Sequence, residues 1–474
     1  MSENRYDIVV LGGGTGGYIA AIRAAQLGKT VAVVEKDKLG GTCLHRGCIP
    51  SKALLRSAEV YSTMKHSEDY GITASSIELN VAGVMSRKQR IVDQLHQGVQ
   101  FLMKKNKVDV YYGNGRIVGP SIFSPRSGAV SVEKADGEID VLLSQNLIIA
   151  SGSKPRSLPG LEVDGHYVMT SEEALNMEEL PKSILIIGGG VIGVEWASML
   201  SDFGVEVTIV EAEQRIASLE DQDISRELER LFKKRRINLI TSAKVMTDTM
   251  QIVDNQVTIQ ADKQGEIIEL KADKILLSVG REANVTGIGL ESTDIKTEKG
   301  VIRVNRHLQT AESHIYAIGD VIGGLQLAHV AGHEGIAAVE HICGLEPHPM
   351  EDHMVPKCTY TRPEIANVGW TEKQAVEQGR KVKVGKFSFK AIGKALVYGE
   401  SDGFVKVVAD ADTNDILGVH MIGPHVTDYI SEAALAQVLN ATPWEVGQTI
   451  HPHPTLSEAI GEAMLAVDGR AIGS

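Results

Sequence analysis

Short runs of apolar, largely β-branched residues punctuate this chain, and two of them open copies of one pattern. The first copy reads Tyr6-Asp-Ile-Val-Val-Leu-Gly-Gly-Gly-Thr-Gly-Gly, continues with a helical stretch to Leu27, and ends in Thr30-Val-Ala-Val-Val-Glu35. The second reads Ser183-Ile-Leu-Ile-Ile-Gly-Gly-Gly-Val-Ile-Gly, continues to Phe203, and ends in Val205-Glu-Val-Thr-Ile-Val-Glu211. Four or five consecutive apolar residues suit a parallel strand buried on both faces. Each copy therefore predicts strand, glycine turn, helix, second strand and terminal acid. Gly12 to Glu35 and Gly188 to Glu211 span the same number of positions, which marks an internal repeat of a βαβ unit.

Later punctuation is softer. Pro155 and Pro159-Gly160 predict a linker near 150–160, Ile315 to Asp320 a short strand ending in Gly-Asp, and His348-Pro349 a break. Beyond that break, strand-like stretches (Phe404 to Val408, Ile416 to Ile422) mix with helical ones (Ser431 to Asn440, Ser457 to Ala466). The pattern predicts an α/β fold: two Rossmann-like dinucleotide-binding domains plus a C-terminal α+β domain.

The glycine turns are Gly12-x-Gly14-x-x-Gly17 and Gly188-x-Gly190-x-x-Gly193. The first glycine of such a turn allows its backbone angles, the second admits a pyrophosphate, and the third lets helix and strand pack closely. The helix N-terminus adds amide N–H groups and the positive dipole end. Glu35 and Glu211 end the second strands, where a carboxylate can accept from ribose hydroxyls. A single turn of this kind is often only a tight strand-to-helix connection; two in full context predict two dinucleotides. A carboxylate at 211 repels a 2′-phosphate, which favours NAD over NADP at the second site.

Composition narrows the class. The chain has 474 residues, 43% hydrophobic and 23% charged, a soluble profile of two to four domains. A net charge of −13 argues against nucleic acid or an anionic membrane as main partner. No uncharged apolar stretch reaches the ~20 residues that cross a bilayer. The polar start, Met1 to Asp7, lacks the features of a secretory signal, and a cytoplasmic protein is expected.

Four cysteines are too few for a disulfide scaffold, and in a reducing compartment a close pair points to redox or metal chemistry. Cys43 and Cys48 lie five positions apart in Gly40-Gly-Thr-Cys-Leu-His-Arg-Gly-Cys-Ile-Pro-Ser-Lys52. Regular helix would separate them by ~7.5 Å of rise alone and turn them to different faces. Bonding them requires a break, which Gly47 can supply. Two close thiols can cycle between disulfide and dithiol, and Arg46 and Lys52 are cations that favour thiolate. Zinc needs four ligands, and no second local pair is present, so no metal is expected. Two buried free cysteines remain the plain alternative.

Near the C-terminus, His451-Pro-His-Pro-Thr-Leu-Ser-Glu458 holds two histidines in an extended, proline-bound stretch. Histidine exchanges protons near neutral pH, and a carboxylate can orient it. The plainer readings are an exposed loop histidine and a helix-capping box from Thr455 to Glu458.

The cysteine segment resembles the redox motif of the pyridine nucleotide-disulfide oxidoreductases, and the resemblance extends over essentially the whole chain. It implies an FAD-binding domain over 1–150, an NAD-binding domain over 151–272, a central domain over 273–347 that completes the FAD site, and a dimerisation domain over 348–474. It implies that Cys43 exchanges with substrate, that Cys48 lies against the flavin, and that Lys52 sits near the flavin ring. Gly115, Asp320 and Ala328 match the family's other flavin contacts, and Val245 and Gly280 match positions lining the second dinucleotide site. The C-terminal segment resembles the signature of members that oxidise dihydrolipoamide. His453 is then the acid–base group and Glu458 its orienting partner, reaching the cysteines of the other subunit of a homodimer. The implied substrate is carried by the lipoyl-bearing acyltransferase of a 2-oxo acid dehydrogenase complex. The chain departs from many such members at His45-Arg46, which puts the redox potential of the pair in question. Mercuric and large thioredoxin reductases carry extra C-terminal redox residues, whereas this chain has no cysteine after Cys358.

Overall fold

The computed structural model describes residues 4–120 and 126–473, so the chain start before Asn4 lies outside the described residues. The chain forms two compact units, one of 1–53, 85–156 and 281–350, the other of 54–84, 157–280 and 351–474.

In the first unit, β1 (Asn4–Leu11), helix α1 (Thr15–Gln26) and β2 (Val31–Glu35) form the predicted βαβ unit. Helices α2 (Gly41–Arg46), α3 (Cys48–Lys65) and α4 (Val81–Lys105) follow, α3 from Leu54 onward and α4 up to Val84 being counted in the second unit. After them come β3 (Asp109–Tyr112), β4 (Asn114–Val118), β5 (Ala129–Glu133), β6 (Ile139–Ile149) and β7 (Ser153–Pro155). The strand order is β3-β2-β1-β6-β5-β4, with Ile315–Ala317 pairing β6. Strand β1 runs parallel to both β2 and β6, and the β4–β5–β6 flank is antiparallel.

The non-alternating apolar run of β1 has a direct cause. Ile8 and Val10 pack on one face with Ala20, Ala24 and Leu39, while Val9 and Leu11 pack on the other with Val34, Ile117 and Leu147. Each such side chain contributes about 1.5–3 kcal/mol by leaving water. A polar residue anywhere in this run would lose that term and strand a polar group.

The second unit repeats the motif with strand Ser183–Ile187, helix Val191–Asp202 and strand Glu206–Val210. These strands belong to a five-stranded parallel sheet with Asn238–Ile240, Lys274–Leu277 and Val168–Thr170. An antiparallel sheet of five strands follows, built from residues 357–423. Helices Val426–Val438 and Glu458–Ala466 bury Ile430, Ala433, Ile460 and Met464 against it. Among the described residues, no helix is long and apolar enough to cross a membrane.

Three expectations change. The proline-marked stretch near 150–160 is not wholly a linker, because β7 pairs antiparallel with Arg281–Ala283. The Ile315 strand stops at Ala317, and Gly319–Ile322 forms a 3-10 turn. The helix expected from Ser431 to Asn440 begins earlier, at Val426, and ends at Val438.

Candidate active site and dinucleotide loops

The two glycine turns are built alike. Gly12 and Gly188 have φ of 111° and 105°, a region that favours glycine. A Cβ on Gly12 would strike the Ala150 carbonyl, and one on Gly188 would lie 2.5 Å from the Ser278 carbonyl. A Cβ on Gly17 or Gly193 would collide with the carbonyl of the first glycine of its own turn. The middle glycines differ in kind. A Cβ at Gly190 would meet nothing within 4 Å, and at Gly14 only the Gly41 Cα at 3.9 Å. Gly14 and Gly190 are the N-caps of their helices and supply no side-chain cap. Each turn thus presents uncapped helix N–H groups beside open space, a cradle that fits a pyrophosphate.

The strand-end acids are equally matched. Glu35 accepts from Gly13 N–H at 2.7 Å and Asp37 N–H at 2.8 Å. Glu211 accepts from Gly189 N–H at 2.5 Å and Glu213 N–H at 2.7 Å. Backbone donors therefore fix both carboxylates at the turn, and each oxygen keeps acceptor capacity for a ribose hydroxyl. Beside Glu211, a cleft of about 440 Å³ is lined by Ala212, Glu213, Gln214, Ser242, Lys244, Asp262 and Gln264. Val245 follows within strand Ala243–Val253, and Gly280 takes φ of 101° just before Arg281.

In the first unit, Gly115 lies in β4 where a Cβ would overlap Leu11 and Val34, so its role is close packing as well as any ligand approach. Asp320 accepts a short hydrogen bond from Ser153 Oγ, and Arg281 donates to that hydroxyl at 2.7 Å and to the Ser153 carbonyl at 2.9 Å. Ser153 and Arg281 were not singled out by the sequence; their pairing joins chain segments far apart. Ala328 begins helix Ala328–Ile342.

The cysteine segment breaks where the spacing requires it. Helix α2 ends at Arg46, Gly47 leaves helical geometry, and α3 starts at Cys48. The two thiols share a hydrogen bond; this contact, then burial, raises the Cys43 pKa well above the usual thiol value. The Thr15 hydroxyl and the Lys52 charge act in the opposite sense and favour the thiolate. Lys52 thus has the expected influence. The Arg46 guanidinium is ion-paired with Asp37 at 2.6 Å. Thr15 was not anticipated, because a hydroxyl inside a glycine turn carries no distinctive sequence signal. The segment is laced to the first turn: Gly40 N–H donates to the Gly13 carbonyl at 2.8 Å, and Gly14 and Gly40 form a β-bridge.

The two C-terminal histidines separate clearly. The His451 side chain is 10% exposed and its Nε2 lies 2.7 Å from Glu432. The His453 side chain is 77% exposed, with Nδ1 2.9 Å from Glu458 Oε1. Glu458 Oε2 also accepts from Thr455 N–H at 2.8 Å, whereas the Thr455 hydroxyl turns to the Pro452 carbonyl. Only half of a capping box forms, and Glu458 serves the helix start and the histidine together. Burial pushes Glu458 up, but the bonds from His453 and Thr455 outweigh it and the carboxylate sits below its usual range. The Nδ1–Glu458 contact leaves His453 Nε2 free of that carboxylate. Among the described residues, no cluster of three or more His, Cys, Asp or Glu is placed to hold a metal ion.

Twin dinucleotide folds with a paired-cysteine segment laced to one phosphate loop define an oxidoreductase that moves electron pairs between a dithiol and nucleotide cofactors. The chain belongs to the pyridine nucleotide-disulphide oxidoreductase family, whose model matches residues 6–335, with the family's dimerisation domain matching residues 355–464. It is 66% identical to the dihydrolipoyl dehydrogenase of Bacillus subtilis strain 168, over 98% of this chain and 99% of that protein. It is 43% identical to the dihydrolipoyl dehydrogenase of Zymomonas mobilis, over 99% of each. Among solved structures it superposes on LpdA from Mycobacterium tuberculosis with a TM-score of 0.89 at 26% identity, covering 97% of this chain and 99% of that one. The HOCl-induced flavoprotein disulfide reductase RclA of Escherichia coli matches with a TM-score of 0.83 at 25% identity, covering 97% and 99%.

Proposed function

We propose that this protein is a dihydrolipoyl dehydrogenase that oxidises dihydrolipoamide through a Cys43–Cys48 disulfide, with FAD and NAD as cofactors. The observation that carries the reading is the cysteine pair in mutual contact, broken out of helix at Gly47 and fastened to the first glycine turn.

The residues divide the work. Gly12, Gly14, Gly17, Glu35, Lys52, Gly115, Asp320 and Ala328 hold FAD, in the domain over 1–150 completed by 273–347. Gly188, Gly190, Gly193, Glu211, Val245 and Gly280 hold NAD, in the domain over 151–272. When bound, FAD and NAD would supply the two-electron redox chemistry that regenerates the Cys43–Cys48 disulfide. His453 removes a proton from a dihydrolipoamide thiol, and the resulting thiolate attacks Cys43, releasing Cys48 as thiolate. The second substrate thiol then displaces Cys43 and closes the lipoamide disulfide; two sulfurs are oxidised and two reduced. Glu458 orients His453 and stabilises the imidazolium that forms. In the proposed homodimer, His453 of one copy serves the cysteines of the other, through the domain over 348–474. The dihydrolipoamide is presented by the lipoyl-bearing acyltransferase of a 2-oxo acid dehydrogenase complex, in the cytoplasm.

Replacing Cys48 tests the reading. Cys48→Ser is expected to keep flavin, because the glycine cradle is separate, and to lose dihydrolipoamide turnover by more than about a thousandfold, measured as NADH formation. Turnover at the wild-type rate would remove the pair from the mechanism.

A further inference from the structure

His45 and Arg46 are two of the four residues between the redox cysteines, and the chemistry proposed so far uses neither. Both point back to the segment that enters the redox turn. Arg46 pairs with Asp37, whose own N–H is held by Glu35. His45 Nε2 lies 2.9 Å from the Leu39 carbonyl, and His96 Nδ1, from α4, lies 2.9 Å from the same oxygen. The rings meet edge to face, with centroids 5.0 Å apart. A carbonyl only accepts, so each of these nitrogens carries the proton, which fixes both tautomers. The N–H of the next residue, Gly40, donates to Gly13. One peptide group therefore joins the phosphate turn, the redox turn and α4. Leu39 and Leu44 are buried with Val99 and Met103 of α4, so the same contact has an apolar floor. Burial holds His45 below its ordinary pKa, and the ring stays a neutral single donor near neutral pH.

We propose that His45 and His96 are positioning residues for the cysteine pair, clamping the Leu39 carbonyl from two sides so that the α2 turn keeps the Cys43 and Cys48 sulfurs within bonding reach. The inference rests on the redox role proposed for that pair. An intramolecular disulfide is as stable as its thiols are pre-positioned. Loss of the clamp lets Cys43 wander, lowers the effective concentration of one thiol at the other, and makes the disulfide easier to reduce.

The test is the disulfide–dithiol equilibrium of the flavin-loaded enzyme in anaerobic dithiothreitol buffers. Each dithiothreitol delivers two electrons and two protons to the Cys43–Cys48 bond and closes to its own cyclic disulfide. Thiols are then alkylated and counted on the peptides carrying Cys43 and Cys48. His45→Leu and His96→Leu remove one donor each, from different helices, so a folding failure in one leaves the other informative. Each is expected to favour the dithiol about tenfold, a rise in midpoint potential of about 30 mV. His45→Gln and His96→Asn place an amide N–H near the lost ring N–H and are expected to stay within a factor of two of wild type. Leucine variants indistinguishable from wild type would overturn the clamp. Equal shifts in the leucine and amide variants would also overturn it, since packing and not the hydrogen bond would then be the cause. If the wild-type pair never becomes alkylable under reduction, the redox assignment itself fails, and the clamp with it.

Discussion

His451 and His453 stand two positions apart in one extended segment, yet their surroundings give them different work. His451 is enclosed beside Glu432, and its ring packs over Gly461, where a Cβ would come within 2.9 Å of it. His453 is largely exposed and tethered by Glu458 through Nδ1. Because hydrogen bonds hold Glu458 below its usual range, the carboxylate stays ionised as pH falls, until it titrates at that lowered value. Its contribution to the segment is present at neutral pH and is lost only in more acidic solution. His453→Gln keeps the fold and removes the proton acceptor, and the thiol-to-disulfide rate is expected to drop about 10²–10⁴-fold in rapid-reaction traces. A rate within twofold of wild type would return His453 to the status of an exposed loop residue. The sequence offered both histidines and both roles for Glu458. It could not choose between them, because burial is not written in local spacing.

At the scale of elements, the repeated strand–turn–helix–strand pattern and the break at Gly47 were legible, since both follow from local periodicity and backbone freedom. The pairing of β7 with Arg281–Ala283 was not, because partners so distant in sequence leave no local trace. A buried polar cluster was equally hidden. Lys406 contacts Asp221 at 2.9 Å, Asp223 at 3.1 Å and Glu372 at 2.8 Å. Asp221 caps helix Gln222–Lys234, and its neighbour Glu220 accepts from Asn367 Nδ2 at 2.6 Å. Burial pushes Glu220 up to about 7, against the opposing pull of Lys357, Asn367 and Arg215. A carboxyl whose folded pKa is raised stabilises the fold fully below its unfolded value, near 4.3, and loses that contribution as pH rises through the folded one. Glu220→Gln keeps an acceptor for Asn367 and removes the titration. Unfolding by urea is expected to show the variant more stable than wild type at pH 8, by on the order of 1–3 kcal/mol relative to their difference at pH 4. A constant difference across that range would place the titration elsewhere.

For the whole molecule, the proposed chemistry needs two copies. The second unit leaves Leu435, Val438, Leu439 and Trp444 exposed, and Ile450 is 94% exposed, all within the segment matched by the family's dimerisation domain. Exposed apolar side chains so close in sequence fit the surface through which the proposed homodimer would form. Val438→Asp combined with Ile450→Asp is expected to cost several kcal/mol of association, judged from ~1.5–3 kcal/mol per buried aliphatic side chain. Sedimentation should then show monomers that retain flavin and have lost dihydrolipoamide oxidation. Monomers that turn over at the wild-type rate would rule out a site shared between copies.

The pivotal observation is where the first electron pair goes. Anaerobic titration of the flavin-loaded enzyme with dihydrolipoamide, with thiols trapped and mapped at each step, follows it directly. The first equivalent is expected to expose one alkylable thiol each at Cys43 and Cys48, together with a change in the flavin spectrum. Flavin bleaching with Cys43 and Cys48 unchanged, or a protein that binds no flavin, would contradict it.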